Sequence, residues 1–217
     1  MKYDVLVIGG NGFVGSVLVR RLQREGYSVL LPTRHLAAAR DFRLLPSVHL
    51  IQADVNDQAT LNDLCSQVKP GGTVINLVGV LHDRPAKPYG KVFERAHVLL
   101  PTHCIAAMKA NGIKRYLHMS ALCADSHGPS MYQRSKGDGE AAVRASGLDW
   151  TIFRPSVIFG QEDQFINLFA NLAKVFPVIP LANSQALFQP VSVNDVAAAF
   201  VAAITMKQTI HQTYSLV

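Results

Sequence analysis

Val5 to Ile8 is a continuous apolar run that breaks into Gly9-Gly10-Asn11-Gly12-Phe13-Val14-Gly15, and from Phe13 to Glu25 the residues Val14, Leu18, Val19 and Leu22 share one helical face. A strand, a tight turn and a helix are predicted in that order. The glycines fit GxGxxG from Gly10 or GxxGxxG from Gly9. Such a turn needs one glycine to bend sharply, one to let backbone N–H groups reach a pyrophosphate, and one to let the helix close on the sheet. A diphosphate would then rest on the positive end of the helix. Glycine-rich turns also occur without ligands. What argues for a binding turn is its place between a buried strand and a helix.

Five more β-rich runs follow, Tyr27 to Leu31, Val48 to Ile51, Thr73 to Val78, Arg115 to Met119 and Trp150 to Phe153. Helical stretches at Asp57 to Val68, Val92 to Ala110 and Met131 to Ser146 lie between the later ones. Strands that are apolar throughout and alternate with helices predict a doubly wound parallel α/β sheet covered on both faces. Gly26, Pro70-Gly71-Gly72, Asn111-Gly112 and Gly147 read as element boundaries. Residues 1–160 are expected to form the dinucleotide-binding core. Residues 161–217 would add C-terminal substrate or lid segments integrated with it: a helix at Phe165 to Phe176, a loop at Pro177 to Ala186, a short strand at Leu187 to Val191, a helix at Asn194 to Met206 and a strand at Thr213 to Leu216.

Composition excludes several classes. Of 217 residues 49% are apolar and 17% charged, which rules out intrinsic disorder. The charge of +6 suits an anionic ligand, an acidic partner or an anionic membrane surface. The basic residues are scattered with no five-residue run, so nucleic acid is not expected. Cys65, Cys104 and Cys123 have no CxxC spacing and read as reduced core thiols of a cytoplasmic protein. The eight histidines show no HExxH pattern, and no metal is predicted. No apolar run reaches the about 18 residues of a membrane span, and the N-terminal run is too short for a signal peptide. Any membrane association would be peripheral, at the inner face. Monomer and homodimer are both open.

The end of the second strand bears on cofactor choice. NAD readers carry an acid there for the ribose 2′-OH, but this chain has Pro32-Thr33-Arg34-His35 and no acid before Asp41. A guanidinium suits a 2′-phosphate, so NADP(H) is preferred, with NAD(H) still open. Asp54-Val55 past the third strand would meet the adenine amino group, and Asn76-Leu77-Val78-Gly79 would line the cofactor's far side.

Tyr132 and Lys136 lie four apart at a helix start and project from one face. An ammonium there would lower the phenol pKa towards working pH and could hold the nicotinamide ribose. Ser120 ends the fifth strand twelve residues earlier, with Met119 beside it, and could steady a developing oxyanion. This trio and the glycine turn resemble the short-chain dehydrogenase/reductase superfamily, in its extended and atypical branches. Arg115 to Leu122, Tyr132 to Lys136, Gly147 to Gly160 and Gln189 to Ala199 are similar to one subgroup, the NADPH-binding accessory subunits of respiratory complex I and their bacterial relatives. The resemblance implies a Rossmann sheet, bound NADP(H), and Arg154-Pro155-Ser156 with Val157 near the nicotinamide end. It also implies that the Asp195 segment packs beside the substrate pocket.

Other candidates read more plainly. His82, Asp83, Arg84, Lys87 and Lys91 suggest a mobile solvated loop, with an anion-binding loop as the alternative. His97, in a helix facing Leu100 or Ile105, reads as a satisfied helix histidine, with approach to the cofactor as the alternative. Phe165, Phe169, Leu172 and Phe176 suggest core or lid packing, or an exposed docking face. Two functions stay open. One is hydride chemistry of the oxidoreductase or epimerase/dehydratase type on a carbonyl, carbinol or quinone substrate by Ser120, Tyr132 and Lys136. The other is a non-catalytic module holding NADPH in a respiratory-complex or quinone-biosynthesis assembly.

Overall fold

The computed structural model describes residues 2–163 and 188–217. Its strands are β1 (Tyr3–Ile8), β2 (Val29–Thr33), β3 (Val48–Gln52), β4 (Val68–Asn76), β5 (Arg115–Met119), β6 (Asp149–Pro155), β7 (Ile158–Phe159), β8 (Val191–Ser192) and β9 (Gln212–Leu216). The helices are α1 (Phe13–Arg24), α2 (Gln58–Ser66), α3 (Lys91–Phe93), α4 (Leu100–Ala110), α5 (Met131–Arg144) and α6 (Val193–Thr205). A seven-stranded parallel sheet runs in the order β3-β2-β1-β4-β5-β6-β9, and β7 pairs with β8 apart from it. Strand order turns back between β1 and β4, the crevice where doubly wound sheets take ligands.

The apolar runs hide an alternation that only the two covered faces expose. Val5 and Val7 join Val29 and Leu31 against Leu18, Val19 and Leu22 of α1 and Val196 and Phe200 of α6. Leu6 and Ile8 join Leu30 and Val74 on the opposite face, against Leu61 and Leu64 of α2, Leu100 and Cys104 of α4 and Val143 of α5. Each fully buried leucine contributes on the order of 1.5–3 kcal/mol by leaving water. In the C-terminal stretch, α6 packs on α1 and β9 extends the sheet beside β6.

Several expectations shift. The second strand begins at Val29 and runs through Pro32 to Thr33, because β3 pairs with it as far as Thr33↔Gln52. Pro70-Gly71-Gly72 is not a boundary but an irregularity inside β4, where the pairing with β1 jumps from Tyr3↔Val68 to Val5↔Thr73. Gly71 has a φ of +77° there. The single helix expected at Val92 to Ala110 is interrupted by a π-helical stretch, Glu94–Leu99, between α3 and α4. Cys65 and Cys104 are core thiols, but Cys123 is exposed because it follows β5 in the loop before α5. Of Leu187 to Val191, the described part is extended only from Val191, and the helix and loop expected at 165–186 lie outside the described residues.

The loop at 82–91 is tied down. Asp83 Oδ2 accepts from the Phe93 N–H (2.7 Å) and Oδ1 from the Arg84 N–H (2.7 Å), while the Arg134 Nε donates to the Pro88 carbonyl (2.9 Å) and the Tyr89 hydroxyl to Asp138 (2.7 Å). These bonds link the loop to α3 and α5 while most of its residues stay exposed, as its charges suggested.

Candidate functional site

The glycine turn divides its duties. Gly9 has a φ of +81°, and a Cβ on it would stand 3.2 Å from the Val78 N. A Cβ on Gly10 would meet Leu31 at 2.5 Å, and one on Gly15 would run into Gly9 and Gly10, so Gly15 is what lets α1 sit on the turn. Gly12 differs. Its φ of −83° suits any residue, and a Cβ there would make only an ordinary contact, 3.4 Å from the Gly9 carbonyl. Nothing among the described residues demands a glycine at that position. The helix ends point the same way: Asp57, Ser130 and Ser192 cap α2, α5 and α6 with side-chain oxygens, whereas the Gly12 cap of α1 offers none. The first N–H groups of α1 are left available to an anion, with the helix dipole behind them.

Beside the turn lies a cleft of about 270 Å³ lined by Gly9, Asn11, Thr33, Arg34, His35, Val55 and Val78 among the expected residues. The Asn11 Nδ2 donates to Thr33 Oγ1 (3.1 Å), which also accepts from the His35 N–H (3.3 Å), so one hydroxyl knots the turn to the end of β2. Val80, Val92, Arg95 and Ala96 also line it, and none of them is among the expected site residues. Arg34 and Arg95 are both exposed, and neither forms an ion pair among the described residues. Asp54 is not on this wall. It accepts from the Asn56 N–H (3.1 Å) and Nδ2 (2.6 Å), bonds that hold its carboxyl below the usual range with help from Arg34 and Arg95. Asn56 lines the cleft in its place.

At the other end, Ser120 is 3% exposed, and its hydroxyl has no hydrogen-bond partner among the described residues. A buried orphan hydroxyl is costly unless a bound group completes it. The Lys136 Nζ donates to the Met119 carbonyl (3.3 Å) and lies under Gly79, where a Cβ would stand 3.3 Å from it. Burial lowers Lys136 to about 8 against the opposing pull of Glu140. Tyr132 corrects an expectation. Burial raises its phenol above the usual value, in the direction opposite to the lowering expected from Lys136.

Two further expected contacts turn inwards. Asn76 is fully buried, its Nδ2 donating to the Tyr116 hydroxyl (3.3 Å) and its Oδ1 accepting from the Val78 N–H (3.1 Å), so it shapes the loop after β4 from beneath. Leu77 is buried in the core, leaving Val78 and Gly79 to face outwards. Arg154 binds Glu140 through Nε (2.8 Å) and Nη2 (2.7 Å) and the Ala124 carbonyl (3.0 Å), and so fastens β6 to α5. Pro155, Ser156 and Val157 are engaged through their backbones with Leu122, Leu216 and Val191. Asp195 lies exposed in the first turn of α6.

His97 is a satisfied helix histidine, as its place in the sequence suggests. It is 1% exposed, bonded to Val80 and Ser135, stacked on Phe93 (5.3 Å between ring centroids) and edge-on to Tyr132 (5.6 Å). A Cβ on Gly139 of α5 would run into the His97 carbonyl, so that glycine allows α5 to approach the π-helical stretch. Its only sequence signal is a glycine inside a helical pattern.

A parallel sheet with the 3-2-1-4-5-6 order, a glycine turn at its crevice, and Ser120 just past β5 with Tyr132 and Lys136 on α5 define a Rossmann protein of the extended short-chain dehydrogenase/reductase type. The chain belongs to the NAD dependent epimerase/dehydratase family, whose model matches residues 5–216. It is 33% identical over 218 residues to the mouse mitochondrial NADH dehydrogenase [ubiquinone] 1 alpha subcomplex subunit 9, covering 96% of this chain and 55% of that protein. It is 29% identical over 199 residues to a Caulobacter vibrioides ceramide reductase, covering 91% and 60%. The chain thus spans little more than half the length of these relatives. Its fold is that of MoeE5, solved in complex with UDP-glucuronic acid and NAD, with a TM-score of 0.81, 23% identity, and coverage of 98% of this chain and 76% of that one. No helix among the described residues is long and apolar enough to cross a membrane, and no group of His, Cys, Asp and Glu there could hold a metal ion.

Proposed function

We propose that this chain binds NADP(H) in preference to NAD(H) and supports hydride exchange on a carbonyl, carbinol or quinone substrate. The observation that carries the reading is Gly12. Packing among the described residues does not require a glycine there, and the position lies over helix N–H groups that no described side chain caps. Backbone approach to a pyrophosphate gives that glycine a reason. Arg34 and His35 at the end of β2, with no carboxylate among them, favour a 2′-phosphate. Val55 and Val78 offer apolar walls to the adenine, and Gly79 and Lys136 would meet the nicotinamide ribose.

When bound, the nicotinamide supplies hydride exchange with the substrate carbon. Lys136 holds ribose hydroxyls and carries the local positive charge. Tyr132 gives or takes the proton at the substrate oxygen, and Ser120 donates its free hydroxyl to that oxygen as negative charge develops. A phenol raised by burial is suited to the protonated, donor role in the direction of carbonyl reduction. The Caulobacter relative is named for reducing a ceramide, which makes a carbonyl on an apolar molecule a reasonable first substrate to test.

A second reading is favoured by the similarity to the mouse NADH dehydrogenase subunit. Here NADPH is a structural ligand, stabilising the fold by mass action within a respiratory or quinone-biosynthesis assembly at the inner face of a membrane. One experiment separates the two: NADPH absorbance is followed with a carbonyl and quinone panel for the wild type and Tyr132→Phe, alongside calorimetry and thermal melting with NADPH. Oxidation lost in the variant supports catalysis. Equal stabilisation of both proteins without turnover supports the structural role, and absence of binding heat with either dinucleotide overturns both.

A further inference from the structure

We propose that His97 is a positioning residue that locks the loop after β4 to the first turn of α5 through a neutral imidazole with its proton on Nδ1. The inference rests on the functional reading above for its purpose, though not for its geometry. The Val80 N–H points at His97 Nε2 (3.1 Å), so that nitrogen must be an unprotonated acceptor. The proton then sits on Nδ1, which donates to Ser135 Oγ (2.8 Å), and that hydroxyl donates to the Tyr132 carbonyl (2.9 Å).

Three bonds therefore run in one direction, from the backbone of the expected nicotinamide-side loop to the backbone of the expected proton donor. Each polarises the next in a buried setting. The His97 ring also meets the edge of Tyr132 and stacks on Phe93. The Tyr132 side chain is thus braced by the same imidazole that fixes its carbonyl.

Charge explains why a neutral ring fits. The groups facing His97 are Lys136 and Tyr132 from α5 and His118 from β5, and the Lys136 ammonium lies under the same Gly79 as His97 Nε2. Protonating Nε2 would break the Val80 bond and set a second cation beside Lys136. Burial first, then Lys136 and His118, hold His97 down at about 2, and burial and Lys136 hold His118 at about 3. The single positive charge of this layer is reserved for Lys136.

The test begins with the wild-type protein carrying ¹⁵N-labelled histidine, with the His97 signals identified by their loss in His97→Gln. The expected spectrum shows a protonated Nδ1 and a bare Nε2, unchanged from pH 9 to pH 5. An Nε2–H tautomer or an imidazolium in that range overturns the proposal. The second measurement follows the ¹³Cζ titration of Tyr132, assigned against Tyr132→Phe. In His97→Leu the midpoint should move by about half a pH unit or more, and NADPH affinity should fall about tenfold. His97→Gln, which can still accept from Val80, should recover part of both. A His97→Leu protein with unchanged Tyr132 titration and NADPH affinity also overturns it. If the wild type fails to bind NADPH, the functional reading falls, while the tautomer and the Tyr132 titration still judge His97.

Discussion

Arg154 and Glu140 join β6 to α5 by two parallel hydrogen bonds of 2.8 and 2.7 Å, with the carboxylate wholly buried and the guanidinium about a quarter exposed. Arg144 reaches the same carboxylate at 2.9 Å. The pair sits one helical turn beyond Lys136, so the residue that braces the helix also biases the ammonium.

Glu140→Gln should therefore do two things. It strands a partly buried guanidinium, with a stability loss of about 3 kcal/mol in urea unfolding. It also removes the charge that raises Lys136, which should titrate further below its value of about 8, as followed by ¹⁵Nζ spectra. An unchanged Lys136 titration would show that Glu140 acts only as a brace.

Gly12→Ala and Gly15→Ala should part company. Alanine at Gly12 has room and an ordinary φ, so the melting midpoint should barely move while calorimetric dinucleotide affinity drops at least about tenfold. Alanine at Gly15 forces α1 off the turn and should cost roughly 1–3 kcal/mol of stability. Equal stability losses with unaltered binding would remove the turn from the site.

Arg34→Ala should weaken NADPH roughly 10- to 100-fold and NADH much less, the difference being a charge-assisted bond to the 2′-phosphate. The preference should shrink as salt rises. Arg95→Ala tests the opposite wall of the same cleft: an equal loss for both dinucleotides would place Arg95 over the shared adenosine. If Arg34→Ala weakens both ligands alike, Arg34 does not read the phosphate.

Lys136 carries a pH signature. Its folded value of about 8 lies below the 10.5 of an exposed lysine, so between these values the unfolded chain holds a proton that the folded chain lacks. Its contribution to stability should rise with pH across that window and be smallest below pH 8. Buried Cys65, pushed up to about 12, acts in the opposite sense above pH 9. The contribution is therefore read as the difference between the wild type and Lys136→Met in denaturant midpoints. A difference that stays flat from pH 7 to 10 would refute it.

Much of this molecule was legible along the chain. The β5 strand from Arg115 to Met119, the α5 start at Met131 and the glycine turn fall where periodicity and breakers put them, because each is written in consecutive residues. Ser120 follows the end of β5, and Lys136 of α5 reaches the Met119 carbonyl beside it, since strand end and helix start are local features. The extent of β2 and β4 was less legible. Pairing partners, and not the strand's own residues, carry β2 through Pro32 and β4 through Gly71.

Side-chain destinations across elements were decided by the tertiary structure. The partnership of Arg154 with Glu140, fourteen residues earlier, and that of Asp54 with Asn56 are not written in the local sequence pattern. His97 shows the limit most clearly. Its tautomer depends on an N–H seventeen residues away and a hydroxyl thirty-eight residues away, which meet only because Gly139 lets α5 close on the π-helical stretch. Hydrophobic spacing determined which elements form and in what order. Burial, by forcing each polar group to find a partner wherever packing left one, determined what those residues do.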